Sequence, residues 1–312
     1  MPIRLPRTPA TRTLTLLGVS IPVVYSTMAS TTSQPTPPTP PTTFSSRPYK
    51  PTHPTFPYTP LDFRRQDESD DTDFYSQPRF VTHIDDNAIT LLRQYYAATL
   101  PRKGRILDLC SSWISHFPSE LEDLAIAAKE KKNKKQQGPD WNSDSNEDEG
   151  EEGLEVIGLG MNAKELSSNP ILTSSLLQNL NLNPTLPASL SPLSATTCVV
   201  SIDYLTRPLP VLTSLHALTK PGGSIHLVIS NRCFPTKAVG RWLRVNEEER
   251  LRIVGDYLWF SGWREVEIVE VSDGRGRVGG LMGWIGGGVD PLWVVRGVKV
   301  GETKGEEGRS EL

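Results

Sequence analysis

The chain has 312 residues, 27 of them proline, with 37% hydrophobic residues and a formal net charge of −3. That length allows one large domain or two modest ones, and the charge offers no broad basic footprint, so nucleic acid is not an expected partner. Cys110, Cys198 and Cys233 lie far apart with no C-x-x-C pair, which argues against a disulfide framework and a zinc site; no metal is expected.

In chain order, the first sixty residues carry Arg4, Arg7, Arg12, Arg47 and Lys50 and no acid, the first being Asp62. With their Ser, Thr and Pro content, this predicts an organellar transit peptide over residues 1–30 and a mitochondrial location, with a cytoplasmic one as the alternative. A secretory signal fits the same basic-then-apolar order, and translation from Met28 would remove either. Residues 14–25 are too few to span a bilayer and are broken by Pro22, so no transmembrane segment is expected. Residues 31–72 read as a disordered Pro/Thr-rich linker. Residues 73–300 read as a folded domain interrupted at 129–153 by a low-complexity insertion, a basic block followed by an acidic one; residues 301–312 read as a disordered tail.

Within 73–300, short apolar runs alternate with helical stretches. Residues 105–109, 155–159, 175–180, 197–202, 224–230, 264–271 and 292–300 read as strands. Helices are predicted over 120–129, from about 162, over 209–218 and over 247–260, with a further one after His83. Such alternation predicts a parallel sheet with right-handed crossovers. The last two strands, joined through a Gly-rich loop, predict an antiparallel hairpin at one edge. Lys220-Pro221-Gly222-Gly223 reads as a turn before a strand. Ligands of open α/β sheets bind outside the carboxyl ends of the strands near the switch point, so candidate residues are those that follow strands.

Gly158-Leu159-Gly160-Met161-Asn162-Ala163 fits a dinucleotide fingerprint, G-x-G-x-x-A. It lies on the second strand, and no acid follows about twenty residues on, where such a site needs one for the ribose. A nicotinamide-dependent enzyme is therefore the weakest of three readings.

Six segments carry a resemblance: PRFVTHID (78–85), ILDLCSSWISHFP (106–118), VIGLGMNAKEL (156–166), VVSIDYLTRPL (199–209), KPGGSIHLVISNRCFPTKAVGRW (220–242) and DPLWVV (290–295). Together they resemble a largely uncharacterised family of class I S-adenosylmethionine-dependent methyltransferase-like proteins, those with a methyltransferase type 11 domain. The resemblance implies an α/β, Rossmann-like seven-stranded sheet, mostly parallel with an antiparallel edge strand, and helices on both faces. It implies S-adenosyl-L-methionine as cofactor and an unidentified small-molecule or protein acceptor. The alternative is a catalytically inactive methyltransferase-like binding or assembly protein.

By the same resemblance, Asp108, Cys110, Ser111 and Ser112 follow the first strand, where the family usually has a Gly-rich turn at the methionine part of the cofactor. Gly158, Gly160 and Asn162 follow the second strand, with Gly160 in place of the usual ribose-binding acid. Asn179 takes the position that contacts the adenine amine, and Ser201 completes the cofactor set. Asp203 and Tyr204 are the candidate catalytic pair, the first to orient or deprotonate an acceptor, the second to wall the pocket; capping of a helix is the plainer role for Asp203. His83, His116, Asn231 and Arg232 are candidate acceptor contacts, and Arg79 lies beside His83 before the helix expected to cover the pocket.

Overall fold

The computed structural model describes residues 44–136, 153–274 and 290–301. The expected transit peptide, the first part of the expected linker (31–43), residues 137–152 of the insertion and the tail from 302 lie outside the described residues.

The elements alternate as the sequence predicts. After β1 (Ser45–Pro48) and α1 (Asp71–Phe74) come α2 (Asp86–Thr99), β2 (Gly104–Leu109), α3 (Ser119–Gln136), β3 (Leu154–Gly160), α4 (Ala163–Ser168) and β4 (Ser174–Leu177). The second half runs β5 (Leu193–Val199), α5 (Pro208–Leu218), β6 (Thr219–Ser230), α6 (Gly240–Arg244), α7 (Glu247–Phe260), β7 (Arg264–Ser272) and β8 (Leu292–Val298). The sheet order is β1-β7-β8-β6-β5-β2-β3-β4. Strands β2 to β6 pair in parallel, β8 runs antiparallel between β6 and β7, and β1 runs antiparallel to β7.

β2 and β5 are buried along nearly their whole length, so both faces must be covered. One face packs on α2 and α3 through Leu92, Tyr96, Leu121 and Ala125. The other packs on α5 and α7 through Leu212, Leu215, Val254 and Tyr257. From β2 the chain winds outward to β3 and β4, then returns to place β5 on β2's other side. This reversal is a topological switch point, where the carboxyl ends of neighbouring strands splay apart.

Several expectations need correction. Among the described residues the sheet has eight strands, not seven, because β1 is added beyond β7. Residues 44–72, assigned to the linker, are built into the domain. The Pro/Thr-rich average conceals Tyr49, Phe56, Tyr58 and Phe63, whose rings supply the apolar area that docks this segment. Tyr49 lies against Gly255, where any Cβ would collide with its ring. The Tyr49 and Tyr58 hydroxyls both donate to buried Asp256, the second at 2.6 Å. Residues 129–136 of the expected insertion continue α3, with Lys129 Nζ donating to the Leu172 carbonyl at 3.1 Å. The fourth strand of the predicted series, β5, ends at Val199: Val200 is left-handed at φ 39°, and residues 202–204 form a 3-10 turn. Residues 220–223, predicted as a turn, lie inside β6.

Candidate functional site

At the switch point the ends of β2, β3 and β5 open into a cavity of about 320 Å³, with residues from 71 to 84 along one wall. Asp108 is on β2, 7% exposed, and its carboxylate accepts from Thr197 Oγ1 of β5 at 2.8 Å. Burial pushes its pKa up to about 6, against the pull of the Ser111 and Thr197 hydroxyls. The chain then turns sharply through Cys110, left-handed at φ 56°. That single residue makes the turn for which glycines are usual. Ser111 N–H donates to the Leu159 carbonyl at 2.8 Å, which ties the turn to β3.

This tie explains Gly160. A Cβ there would collide with the Ser111 carbonyl oxygen, so the turn after β2 leaves no room for a side chain at this position. Gly158, expected at the cofactor, does not line the cavity; its missing side chain leaves room for Leu172 on the core side. Asn162 lines the cavity but is saturated. Its Oδ1 caps α4, accepting from Lys164 N at 3.0 Å and Glu165 N at 3.2 Å, and its Nδ2 donates to the Tyr75 carbonyl at 2.9 Å. Asn179 likewise spends Oδ1 on the N–H groups of Asn181 and Leu182, at 3.0 and 3.3 Å. Ser112 and Ser201 line the cavity; Ser201 Oγ donates to the Val199 carbonyl at 2.8 Å.

Tyr204 lines the cavity, and its oxygen accepts from Phe234 N at 2.8 Å. Burial raises its phenol well above the ordinary range, so it stays protonated. Asp203, expected beside it as a base, does not line the cavity: it is 3% exposed, and its backbone carbonyl accepts from Val239 N at 2.9 Å. Burial pushes its carboxyl up to about 7. His116 lines the cavity, and burial with nearby Arg93 pushes it down to about 4, so it is neutral at pH 7. His83 lies at the rim, edge-on to Phe234 at 5.3 Å. Arg232 lines the cavity with its Nε paired to Asp290 at 2.8 Å; Asn231 is exposed and outside the lining.

Tyr75 and Asp71, which no motif in the sequence marks, are also on the wall. Asp71, 4% exposed, accepts from Arg65 at 2.8 Å and from Asn181 at 2.8 Å, and pairs with Lys237 at 3.3 Å. These contacts tie Asp71 to Lys237, beyond β6, and to Asn181, beyond β4. The aromatic spacing of Phe56, Tyr58 and Phe63 was the signal that this segment folds.

Solved structures similar to this chain are S-adenosylmethionine-dependent methyltransferases and related proteins. A TehB-like S-adenosylmethionine-dependent methyltransferase from Corynebacterium glutamicum is 10% identical over 67% of this chain and 87% of that one, with a TM-score of 0.38. TehB from Haemophilus influenzae is 13% identical over 73% of this chain and 66% of its own, with a TM-score of 0.39. Phosphoethanolamine N-methyltransferase 2 from Haemonchus contortus, solved with S-adenosyl-L-methionine, is 10% identical over 69% and 53%, with a TM-score of 0.38. No protein-family profile and no curated protein sequence matches the chain. Among the described residues, no helix is long and apolar enough to cross a membrane.

Proposed function

We propose that the cavity binds S-adenosyl-L-methionine with its methionine end at the Asp108 turn, and that the chain is a methyltransferase of the type 11 group. The observation that carries this reading is the placing of a buried carboxyl, Asp108, beside a left-handed turn at the switch point of the sheet. The volume falls in the range of ordinary ligand sites, roughly 300–1,000 Å³. Five of the six resembling segments meet at this cavity, through Arg79 and His83, Asp108 to His116, Leu159 to Glu165, Val199 to Leu205, and Arg232 to Phe234. The sixth supplies Asp290, which holds Arg232.

The residues fit the cofactor at its methionine end, where an ammonium group would hold the Asp108 carboxyl in its charged form. When bound, the cofactor supplies a methyl group on a sulfonium. Holding the reactants close and in line is most of what transfer requires. Tyr204 and Phe234 form a wall for the acceptor, and the protonated Tyr204 phenol serves as neither base nor nucleophile. With His116 neutral and weakly basic, the site favours an acceptor that needs no strong base.

A second reading, a methyltransferase-like binding protein without catalysis, is favoured by the ribose end. There Asn162 and Asn179 are already bonded, and Gly160 is covered by the Ser111 carbonyl. Calorimetric titration of the full chain with S-adenosylhomocysteine decides between the two. Micromolar binding at pH 8, weakened about tenfold or more by Asp108→Asn, is the expected result, since a charge-assisted hydrogen bond contributes about 1.5–3 kcal/mol. No heat at millimolar ligand would leave the binding-protein reading standing.

A further inference from the structure

We propose that Arg79 is the anchor for an anionic acceptor, one carrying a carboxylate or phosphate beside a flat apolar body. This deepens the methyltransferase reading of the same cavity and rests on it.

The Arg79 guanidinium lies 4.1 Å from the Phe74 ring centre, 6.0 Å from that of Tyr75 and 5.9 Å from that of Phe234. Three rings thus surround the cation within about 6 Å while Arg79 lines the cavity. Only its backbone is bonded: Arg79 N–H donates to Glu165 Oε1 at 2.7 Å. No hydrogen bond or ion pair engages its guanidinium N–H groups among the described residues. A planar fork of donors held open toward a cavity matches the geometry of a carboxylate or phosphate.

No ion pair among the described residues engages this guanidinium. Asp71 is neutralised by Arg65 and Lys237. Glu165, the remaining acid on that wall, turns one oxygen to the Arg79 backbone N–H. Arg232 is paired with Asp290, whose carboxylate is 5% exposed, and so adds a tethered, neutralised cation to the same cavity. The flat body follows from the walls: Tyr204 and Phe234 lie 6.1 Å apart at 35°, and Tyr75 lines the same space. Such rings favour stacking on a planar group.

The test uses small probes on the full chain, with and without S-adenosylhomocysteine: benzoate, phenyl phosphate, benzyl alcohol and benzylamine. One of the anions should bind at least tenfold more tightly than benzyl alcohol, and benzylamine least of all; the tighter anion assigns carboxylate or phosphate. Arg79→Gln should erase the preference for the anion while S-adenosylhomocysteine still binds. Arg79→Lys, which keeps the charge and loses the fork, should retain part of it. Equal binding of benzyl alcohol and both anions would overturn the proposal, as would an anion preference that survives Arg79→Gln. So would failure of both anions to bind at about 10 mM, a weak affinity for ligands of this size. If Arg79→Gln does not fold, the discrimination by the unaltered protein decides. Absence of S-adenosylhomocysteine binding sinks the methyltransferase reading separately, because anion preference is also read without it.

Discussion

A buried carboxyl costs a fold more the more of the time it carries its charge. Asp203 is such a group, 3% exposed with no hydrogen-bond partner for Oδ2 among the described residues. Burial raises it from 3.8 to about 7, against its own backbone N–H and Arg250. Between those two values the folded chain holds a proton that the unfolded chain has released, so stability falls as pH rises through this window. Asp203→Asn removes the penalty. Its upper bound is about 4 kcal/mol at pH 8, from roughly three pH units at 1.36 kcal/mol each. A partly unsatisfied amide returns about 1–3 kcal/mol. The variant should therefore melt a few degrees above the unaltered protein at pH 8, with the gap closing toward pH 4. Thermal melts at both pH values check this; a variant less stable at pH 8 would mean that the Asp203 charge has a partner in solution.

At the scale of elements, much of the fold is legible because period and capping agree. The predicted helix over 247–260 coincides with α7, whose start is fixed by Asn246 Oδ1 accepting from Glu249 N at 2.9 Å. Strand ends were less legible. Val199 and Val200 read as one β-branched run, yet Val200 is left-handed, which its residue type gives no reason to expect. The junction of β2 and β3 was half legible. Asp108 is marked by its place at the end of a strand, but the contact that requires glycine at 160 is with the backbone of the neighbouring turn, and no local pattern records it. A substitution tests this reason. Placing an acid there with Gly160→Asp should not improve affinity for S-adenosylhomocysteine; the collision with the Ser111 carbonyl should cost about 1–3 kcal/mol, as over-packing does. A lower melting temperature with weaker S-adenosylhomocysteine binding is the expected pair of results. Tighter binding would show that the turn yields to a side chain at position 160.

On the scale of the whole molecule, the N-terminal segment is the least legible part of the sequence, because its Pro/Thr-rich average conceals the aromatic residues spaced along it. Residues 44–71 complete the sheet through β1 and bury Tyr49. They also bring both phenols to Asp256 and surround Lys237, whose side chain is 1% exposed, with Asp67 and Asp71. A chain beginning at Thr72 would lose all of these at once. It would leave the Asp256 carboxylate and the Lys237 ammonium without their partners, and breaking a buried pair costs about 3–5 kcal/mol. Domains of ordinary stability have about 5–15 kcal/mol in total. A chain beginning at Phe44 should melt cooperatively, and one beginning at Thr72 should melt about 20 °C lower or show no cooperative transition, at about 2–4 °C per kcal/mol. Near-ultraviolet circular dichroism during heating distinguishes the two. If the shorter chain melts within a few degrees of the longer, residues 44–71 are an appendage. The wall at Tyr75 and Arg79 would then have to be held by its own contacts with Asn162 and Glu165. If it collapses, the cavity and the N-terminal segment form one cooperative unit, and the anchor for the acceptor depends on rings more than twenty residues upstream.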